Sequence, residues 1–476
     1  MTASAPRTGP APASAPRTGP PGAPLDLAVV GSGAAGLAAA FRLHEAGHRV
    51  RLLERNDRLG GKMLTTRREG FTLEEGPSAM AGSYTSILGI ARQAGMADEI
   101  VPASGRIAFA GRRGSDGSSD QSDWNYLDPT HIIRDGLRTK LLSPGAKLRL
   151  ARLGLDVFRT RNRRRPDDLS LLTELDGLTA DRYARERLGD EIAEYLVDPC
   201  VRSFVNCTAQ EISAADLIYA LGAFLGSSQY VAFRNGMSSY ADTVGALCEV
   251  STGAEVLDVL EHDDRVTLTW RDDSSADAGE RTQDFAGVVL ACDAHTAGRI
   301  HTGLDPWRRE FLTEGVTYTW STVAHLALEQ APDVDSCFVF PRGSDHPNLV
   351  IISLEHNKTP WQAPPGKGLV GIYPSSAHAR ELFDAEDDYV VKDLIGEAEE
   401  LIPGLGDHVR FTHVSRWNPT LLQSRPGYWT AMREFTVRAE AQDRRIQFAG
   451  DYFCTSSLNT ASASGERGAR RLLETL

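Results

Sequence analysis

Leu25-Asp26-Leu27-Ala28-Val29-Val30-Gly31-Ser32-Gly33-Ala34-Ala35-Gly36 is the stretch on which the fold of this chain turns. Leu25 to Val30 is an apolar run broken only by Asp26. A run of that kind suits the centre of a parallel sheet, buried on both faces. Ala34 to Ala46 has helical composition and stops at Gly47, and His48 to Glu54 reads as a second strand. The three segments make a βαβ unit, with Gly-x-Gly-x-x-Gly at its first turn. Gly31 permits the tight turn, Gly33 lets the backbone approach a pyrophosphate, and Gly36 lets the helix lie close to the sheet. The helix start at Ala34 and Ala35 offers free N–H groups and a positive dipole end to phosphates. Glu54, with Arg55 beside it, closes the second strand at the spacing of an acid that accepts from the adenosine ribose. In this context the motif reads as a dinucleotide site rather than an empty glycine-rich turn.

Working outward, the neighbouring segments select FAD over NAD. Arg58-Leu59-Gly60-Gly61-Lys62 supplies a second close backbone approach to the same pyrophosphate. Gly70-Phe71-Thr72-Leu73-Glu74-Glu75-Gly76-Pro77 offers a turn beside the ligand. Near the other end of the chain, Phe448-Ala449-Gly450-Asp451 is an apolar strand ending in an acid suited to a ribityl hydroxyl. Asn459, Thr460 and Ala461 then open a closing helix whose small residues admit a flat ring system.

The chain has 476 residues, the length of about three domains. Acids outnumber bases by 64 to 51, which argues against a nucleic-acid partner. No apolar run approaches the roughly 20 residues of a membrane span. Cys200, Cys207, Cys248, Cys292, Cys337 and Cys454 form neither CxxC pairs nor zinc spacings, so no metal is expected and a reducing cytoplasm is. No apolar secretory signal follows Met1. Residues 1–24 are rich in Pro, Ala, Gly and Arg and repeat Ser4–Pro10 as Ser14–Pro20, the composition of a disordered tail. An Arg-rich transit peptide is the alternative, which dense Pro and Gly disfavour. Gly114–Asp123 reads as a surface loop, and Asp272–Glu280 as the tip of a hairpin between Arg265–Trp270 and Phe285–Cys292. Residues 138–165 are strongly basic and partly helical in period. Such a segment rests on anionic lipid or, more commonly, is a solvated helix face. Leu178–Ala223 reads as helical, Val316–Tyr373 as strands, and Asp384–Ile402 as a helix.

Beyond these readings, the chain resembles the flavin-containing amine oxidases and protoporphyrinogen oxidases, a superfamily that includes phytoene desaturases. The resemblance runs over nearly everything after residue 25 and is most specific from Val29 to Pro77. Glu75-Gly76-Pro77 after Gly70-Phe71 is similar to the protoporphyrinogen-oxidase branch, as are Leu188–Glu191, Leu196–Pro199 and Ile212-Ser213. Phe233–Met237 resembles the family's Gly-Gly-Met turn, with Asn235 in place of the first glycine; Asn235 is expected to take a left-handed conformation there. Gly253–Val256 resembles the strand that passes the adenine, which makes Val256 a backbone contact. Val289–Cys292 resembles a strand that is followed in the family by a proline, absent here. The chain has Asn459-Thr460-Ala461-Ser462 where amine oxidases carry Glu-Gly-Ala. It has no cysteine in Leu421–Arg433, where covalent members attach their cofactor, so the resemblance implies noncovalent FAD. Nor does Trp320–Leu328 hold the lysine of amine oxidases; His325 lies there instead, as a core residue or facing the flavin. Tyr428, Trp429 and Tyr452 fall at the family's aromatic positions and serve either the pocket or the core.

The resemblance implies an α/β architecture, with a discontinuous Rossmann-like FAD-binding domain (25–90, 226–300, 410–476). A mixed α+β substrate domain (91–225, 301–409) completes it. The implied activity is that of an FAD-dependent oxidoreductase removing hydride from a C–H next to nitrogen or in a ring, with oxygen or a quinone as acceptor. The closing helix near Ala461 would favour charge on the reduced ring. A flavin amine oxidase acting on an amine or amino-acid-derived metabolite is the alternative. An aromatic hydroxylase, or a module that binds FAD without catalysis, is the third reading; Tyr452-Phe453-Cys454 after Asp451 lacks the hydroxylase pattern.

Overall fold

A computed structural model describes residues 23–110, 124–225, 229–272 and 279–476. The tail expected over 1–24 lies outside it up to residue 22, as do the whole of the loop Gly114–Asp123 and the centre of Asp272–Glu280.

The apolar run at the start forms the strand Asp26–Val30, the middle of a five-stranded parallel sheet. Across this sheet the order is Glu249–Ser251, Arg49–Leu53, Asp26–Val30, Gly287–Leu290 and Ile446–Phe448. The two-residue period of the strand divides its side chains between two cores. Leu27 and Val29 pack with Leu37, Phe41 and Leu43 of the helix Ala34–Glu45. Ala28 and Val30 face the other way, toward Val256, Trp270, Trp429 and Phe435. The closing helix Leu458–Thr475 lies against Ala34–Glu45, where a Cβ on Gly465 would sit inside the carbonyl of Ala35. Beginning and end of the described chain are thus interlocked over the same sheet face.

The structure corrects the expected hairpin. Its second arm is Gly279–Phe285, paired with Val266–Asp272 from Val266↔Phe285 to Asp272↔Gly279. The apolar run after Phe285 instead becomes Gly287–Leu290, buried throughout and inserted beside Asp26–Val30. The reason is burial: the arm Gly279–Asp284 is largely exposed, whereas Val288, Val289 and Leu290 have no face suited to water.

A second sheet of seven strands runs Val409–Trp417, Ser321–Leu328, Gly368–Pro374, Leu349–Leu354, Phe338–Phe340, Ile107–Phe109 and Asn125–Leu127. Its second strand, Ser321–Leu328, is wholly buried, with Val390, Leu394 and Ala398 of the helix Asp387–Glu399 packed on Ala324 and Leu326. The helices Pro144–Thr160, Ala180–Leu188, Asp198–Val205 and Ala214–Leu225 form a further layer.

A small hairpin, Thr65–Arg68 with Phe71–Glu74, joins the two sheets. Phe71 meets Phe411 edge-on at a centroid distance of 5.5 Å, and Leu73 packs on Ala327 and Leu369. The left-handed turn is Glu69-Gly70, with φ 53° and 85°. This tip packs toward Pro364 and pairs Glu69 with Arg410 at 2.6 Å, so it is Gly76, at the hairpin's other end, that meets the glycine turn at Lys62. The expected left-handed Asn235 is also corrected: the positive φ falls on Gly236, at 80°, and Asn235 keeps an ordinary backbone. No described helix is long and apolar enough to cross a membrane.

Candidate functional site

Parallel strands deliver their carboxyl ends to one edge, and the motif residues collect there. Gly31 turns the chain with φ 96°, and its N–H donates to Leu53 O at 2.8 Å. A Cβ on Gly36 would fall inside the Gly31 carbonyl. Gly33 has open space where its Cβ would be, so its surface faces outward. The helix start at Ala34 and Ala35 is buried and carries no side-chain cap at Gly33. Orphan N–H groups there suit a phosphate. Gly61, with φ 57°, approaches Gly33 so closely that its Cβ would lie 3.2 Å from the Gly33 Cα. The two glycine turns therefore form one cradle, tied by Gly60 N–H to Ser32 O at 3.1 Å.

Glu54 is 5% exposed and fixes this cradle from below. Its Oε2 accepts from Ser32 N at 2.9 Å and Ser32 Oγ at 2.6 Å, and its Oε1 from Asn56 N at 2.9 Å and Asn56 Nδ2 at 2.7 Å. Two of these donors are rotatable side chains that can yield to a ribose hydroxyl. Arg55 is exposed beside it. Val256 sits in Ala254–Glu261, which joins the cradle through Ala254 N–H to Glu54 O at 2.8 Å. On the opposite side, Lys62 Nζ donates to Thr420 O and lies 4.0 Å from Asp451. Asp451 accepts from Ser456 Oγ at 2.8 Å, and Gly450 N–H donates to Ser464 Oγ at 3.0 Å.

Other expected site residues are engaged elsewhere. Asn459 Oδ1 accepts from Ser86 N at 2.9 Å, at the start of the helix Ser86–Gln93. Thr460 closes a capping box with Ser457. Ala461, half-buried, is left at the head of the closing helix. Trp429 is fully buried, with its Nε1 donating to Asp216 Oδ2 at 2.8 Å. Burial raises the Asp216 carboxyl to about 7. Tyr452 is likewise buried in the main core, 4.8 Å from the Phe453 ring. Sequence reasoning left both residues between pocket and core, and their packing is that of core residues.

Beyond Gly76 and Pro77 lies a buried polar cluster that the motifs did not show. His325 is 2% exposed and shares a hydrogen bond of 3.0 Å with Ser415 Oγ. Burial, then the neighbouring His413, lowers it to about 4, so it is neutral at ordinary pH. His413, its register partner across the sheet, lies 3.1 Å from Glu75 Oε2 and is pushed up by that carboxylate. Burial pushes Glu75 up, but His413 and Thr66 outweigh it and hold the group below its ordinary value. Glu74 behaves oppositely: burial raises it to about 8 although Thr65 Oγ1 donates to it at 2.8 Å. Lys358, fully buried, pairs with Glu355 at 2.5 Å and donates to Ser78 Oγ at 2.6 Å, just past Pro77. Lys358 and Glu355 were invisible in the sequence because each is a single charge in a strand-rich stretch. The one available signal was the i, i+3 spacing of Glu355 and Lys358 directly after the apolar run Leu349–Leu354.

The cradle is chemically suited to a dinucleotide pyrophosphate, since uncapped buried N–H groups and backbone-only surface meet at one point. Residues 34–473 match the family of flavin containing amine oxidoreductases. The chain is 22% identical over 502 residues to the coproporphyrinogen III oxidase of Staphylococcus aureus, covering 94% of this chain and 99% of that protein. The structure of a putative protoporphyrinogen oxidase from Exiguobacterium superposes with a TM-score of 0.71 at 17% identity, over 94% of this chain and 99% of that one. Cyclohexylamine oxidase from Brevibacterium oxydans also gives 0.71, at 14% identity, over 95% and 99%. The chain belongs to the flavin containing amine oxidoreductases and is an FAD-dependent oxidoreductase.

Proposed function

We propose that this protein is a noncovalent FAD oxidase of the porphyrinogen class, taking hydride from a ring carbon next to nitrogen in a substrate such as coproporphyrinogen III. One observation carries the substrate class: nearly the whole chain aligns with nearly the whole of a protein named coproporphyrinogen III oxidase. The likeness to amine oxidases is one of fold. The second reading, an amine oxidase, is disfavoured because His325, tied to Ser415, stands on the strand where the resemblance calls for lysine.

FAD, when bound, would supply the hydride acceptor; the chain's part is to hold it, orient the substrate and exclude water. Gly31, Gly33, Ala34, Ala35, Gly36, Gly60 and Gly61 hold the pyrophosphate, Glu54 and Arg55 the ribose, and Val256 the adenine edge. Lys62, Gly450, Asp451 and Ala461 face the ribityl and ring end, with Gly76 and Pro77 opposite. Asn459 and Thr460 support that end through helix termini. His413, whose pKa the Glu75 carboxylate raises, sets its Nε2 3.1 Å from that carboxylate, beside Gly76. The helical layer contributes apolar walls at Val201, Phe204, Leu217 and Leu221, adjoining Thr455. On this reading the FAD-binding part is 25–90, 226–300 and 418–476 and the substrate part is 91–225 and 301–417; the expected boundary at 410 moves because Val409–Trp417 pairs with Ser321–Leu328 in the seven-stranded sheet. Oxygen or a quinone takes the electrons. Six unpaired cysteines suit a reducing cytoplasm.

The test is the visible spectrum of purified protein, oxygen-free, before and after coproporphyrinogen III, with cyclohexylamine in parallel. Bleaching by the porphyrinogen and return in air support the reading. Bleaching by the amine alone replaces it with the second. A flavin that stays with the acid-precipitated protein overturns noncovalent binding.

A further inference from the structure

Lys358 is 1% exposed. Its Nζ pairs with Glu355 at 2.5 Å, and it donates to Ser353 Oγ at 3.2 Å and to Ser78 Oγ at 2.6 Å. An ammonium has three protons to give, and here each finds an acceptor. Ser353 Oγ in turn donates to Glu355 Oε1 at 2.6 Å. A buried ion pair of this kind adds little stability. Desolvation of the two charges offsets most of their attraction, and apolar side chains of similar volume do as well. What the pair supplies is direction. Glu355 and Ser353 belong to the same stretch as Lys358, at the end of the strand Leu349–Leu354. The third acceptor belongs to a distant part of the chain.

Ser78 follows Gly76 and Pro77, between the strands Phe71–Glu74 and Met80–Ala81. Among the described residues, Gly76, Pro77 and Ser78 make no backbone hydrogen bond to other backbone groups. Side chains must therefore hold this segment in place. At one end Trp417 Nε1 donates to Glu75 O at 2.7 Å, and a Cβ on Gly76 would lie 2.2 Å from Lys62 O in the second glycine turn. At the other end the hold is the Ser78 hydroxyl on Lys358. The backbone of Lys358 is pinned in its turn, since its carbonyl accepts from Ser104 N at 3.0 Å.

We propose that Lys358 is a positioning residue for the site: through Ser78 it fixes where Gly76 and Pro77 stand relative to the glycine cradle. The inference rests on the reading that sets those two residues opposite the ring end of FAD, and it does not depend on which substrate is oxidised. Lys358 touches neither cofactor nor substrate; it acts through the turn. The seven-stranded sheet thereby sets the wall of a site whose floor belongs to the parallel sheet.

The experiment compares the FAD-loaded native chain with Ser78→Ala and with Lys358→Met/Glu355→Gln. The first variant breaks only the tie. The second removes both charges together, so that no lone charge is left buried. Both should melt close to the native protein and keep near-native FAD affinity, because neither change touches the cradle. In both, the visible circular dichroism of the flavin should change in the same way. Flavin reduction at saturating substrate should slow about tenfold, with the half-saturating concentration moved less than about twofold, the mark of lost orientation rather than lost binding. The substrate is whichever of coproporphyrinogen III and cyclohexylamine bleaches the native protein; if neither does, the dichroism decides. Should the double variant fail to fold, Ser78→Ala decides alone. Native dichroism or a native reduction rate in either folded variant overturns the role of Lys358 and leaves the cradle standing. A native chain that takes up no FAD overturns the cradle, and this inference with it.

Discussion

Gly33 and Gly36 stand in the same motif but do different work. Gly36 sits where a methyl group would overlap the Gly31 carbonyl, which is backbone and cannot rotate away. Gly33 has an ordinary φ of −66° and nothing within 4 Å of its Cβ position. Gly36→Ala should therefore abolish accumulation of folded protein. Gly33→Ala should fold within about 1 kcal/mol of the native chain, the scale of a changed N-cap, yet lose FAD affinity, because its methyl occupies surface reserved for the pyrophosphate. Titrating FAD into the apo forms, alongside their melting curves, separates the two effects. Equal loss of stability in both variants would mean that Gly33 is structural and that the cradle is misassigned.

At the scale of elements, the hairpin Thr65–Arg68/Phe71–Glu74 carries the connection between the sheets, and its last strand ends in a buried acid. Glu74 titrates near 8 because of burial, against an ordinary 4.5. Between those values the folded protein keeps a proton that the unfolded chain has released, so this group's contribution to stability declines as pH rises from 4.5 to 8 and is level outside that window. Glu74→Gln removes the proton without removing the shape. Its melting temperature, relative to the native protein, should climb steadily from pH 5 to pH 8 and then stop climbing. Parallel curves for the two proteins across that range would show that Glu74 is ionised in the fold. His413 acts in a different window: raised by Glu75, it contributes stability below its unfolded value that is lost as pH passes its folded one.

Over the whole molecule, what was legible in the sequence was local. Leu25–Gly36 and Phe448–Asp451 announced strands and turns because their apolar runs and glycines are contiguous, and the parallel sheet was readable from them. The hairpin partner of Val266–Asp272 was misjudged because Phe285–Cys292 looks like any apolar strand; only the competition for a place beside Asp26–Val30 decides its sheet. Glu74, His413 and Lys358 come from three distant segments and signal nothing individually. The exposure of Leu148 and Phe158 on Pro144–Thr160 was equally hidden, since periodicity shows that a stripe exists but not which side is covered.

The proposed FAD contacts span that same distance, from Gly31 to Lys62, through Val256, to Gly450 and Ala461. A ligand that joins segments so far apart stabilises the fold by linkage, by about 2.7 kcal/mol at a hundredfold excess over its dissociation constant. Removing FAD should therefore lower the melting temperature. Hydrogen exchange should quicken first at residues 54–62 and 450–461, while Ser321–Leu328, buried along its whole length, keeps its protection. Re-adding FAD should reverse both changes. Exchange that rises equally in the seven-stranded sheet, or a melting temperature indifferent to FAD, would show that the cofactor lies elsewhere than in the cradle at the carboxyl edge of the parallel sheet.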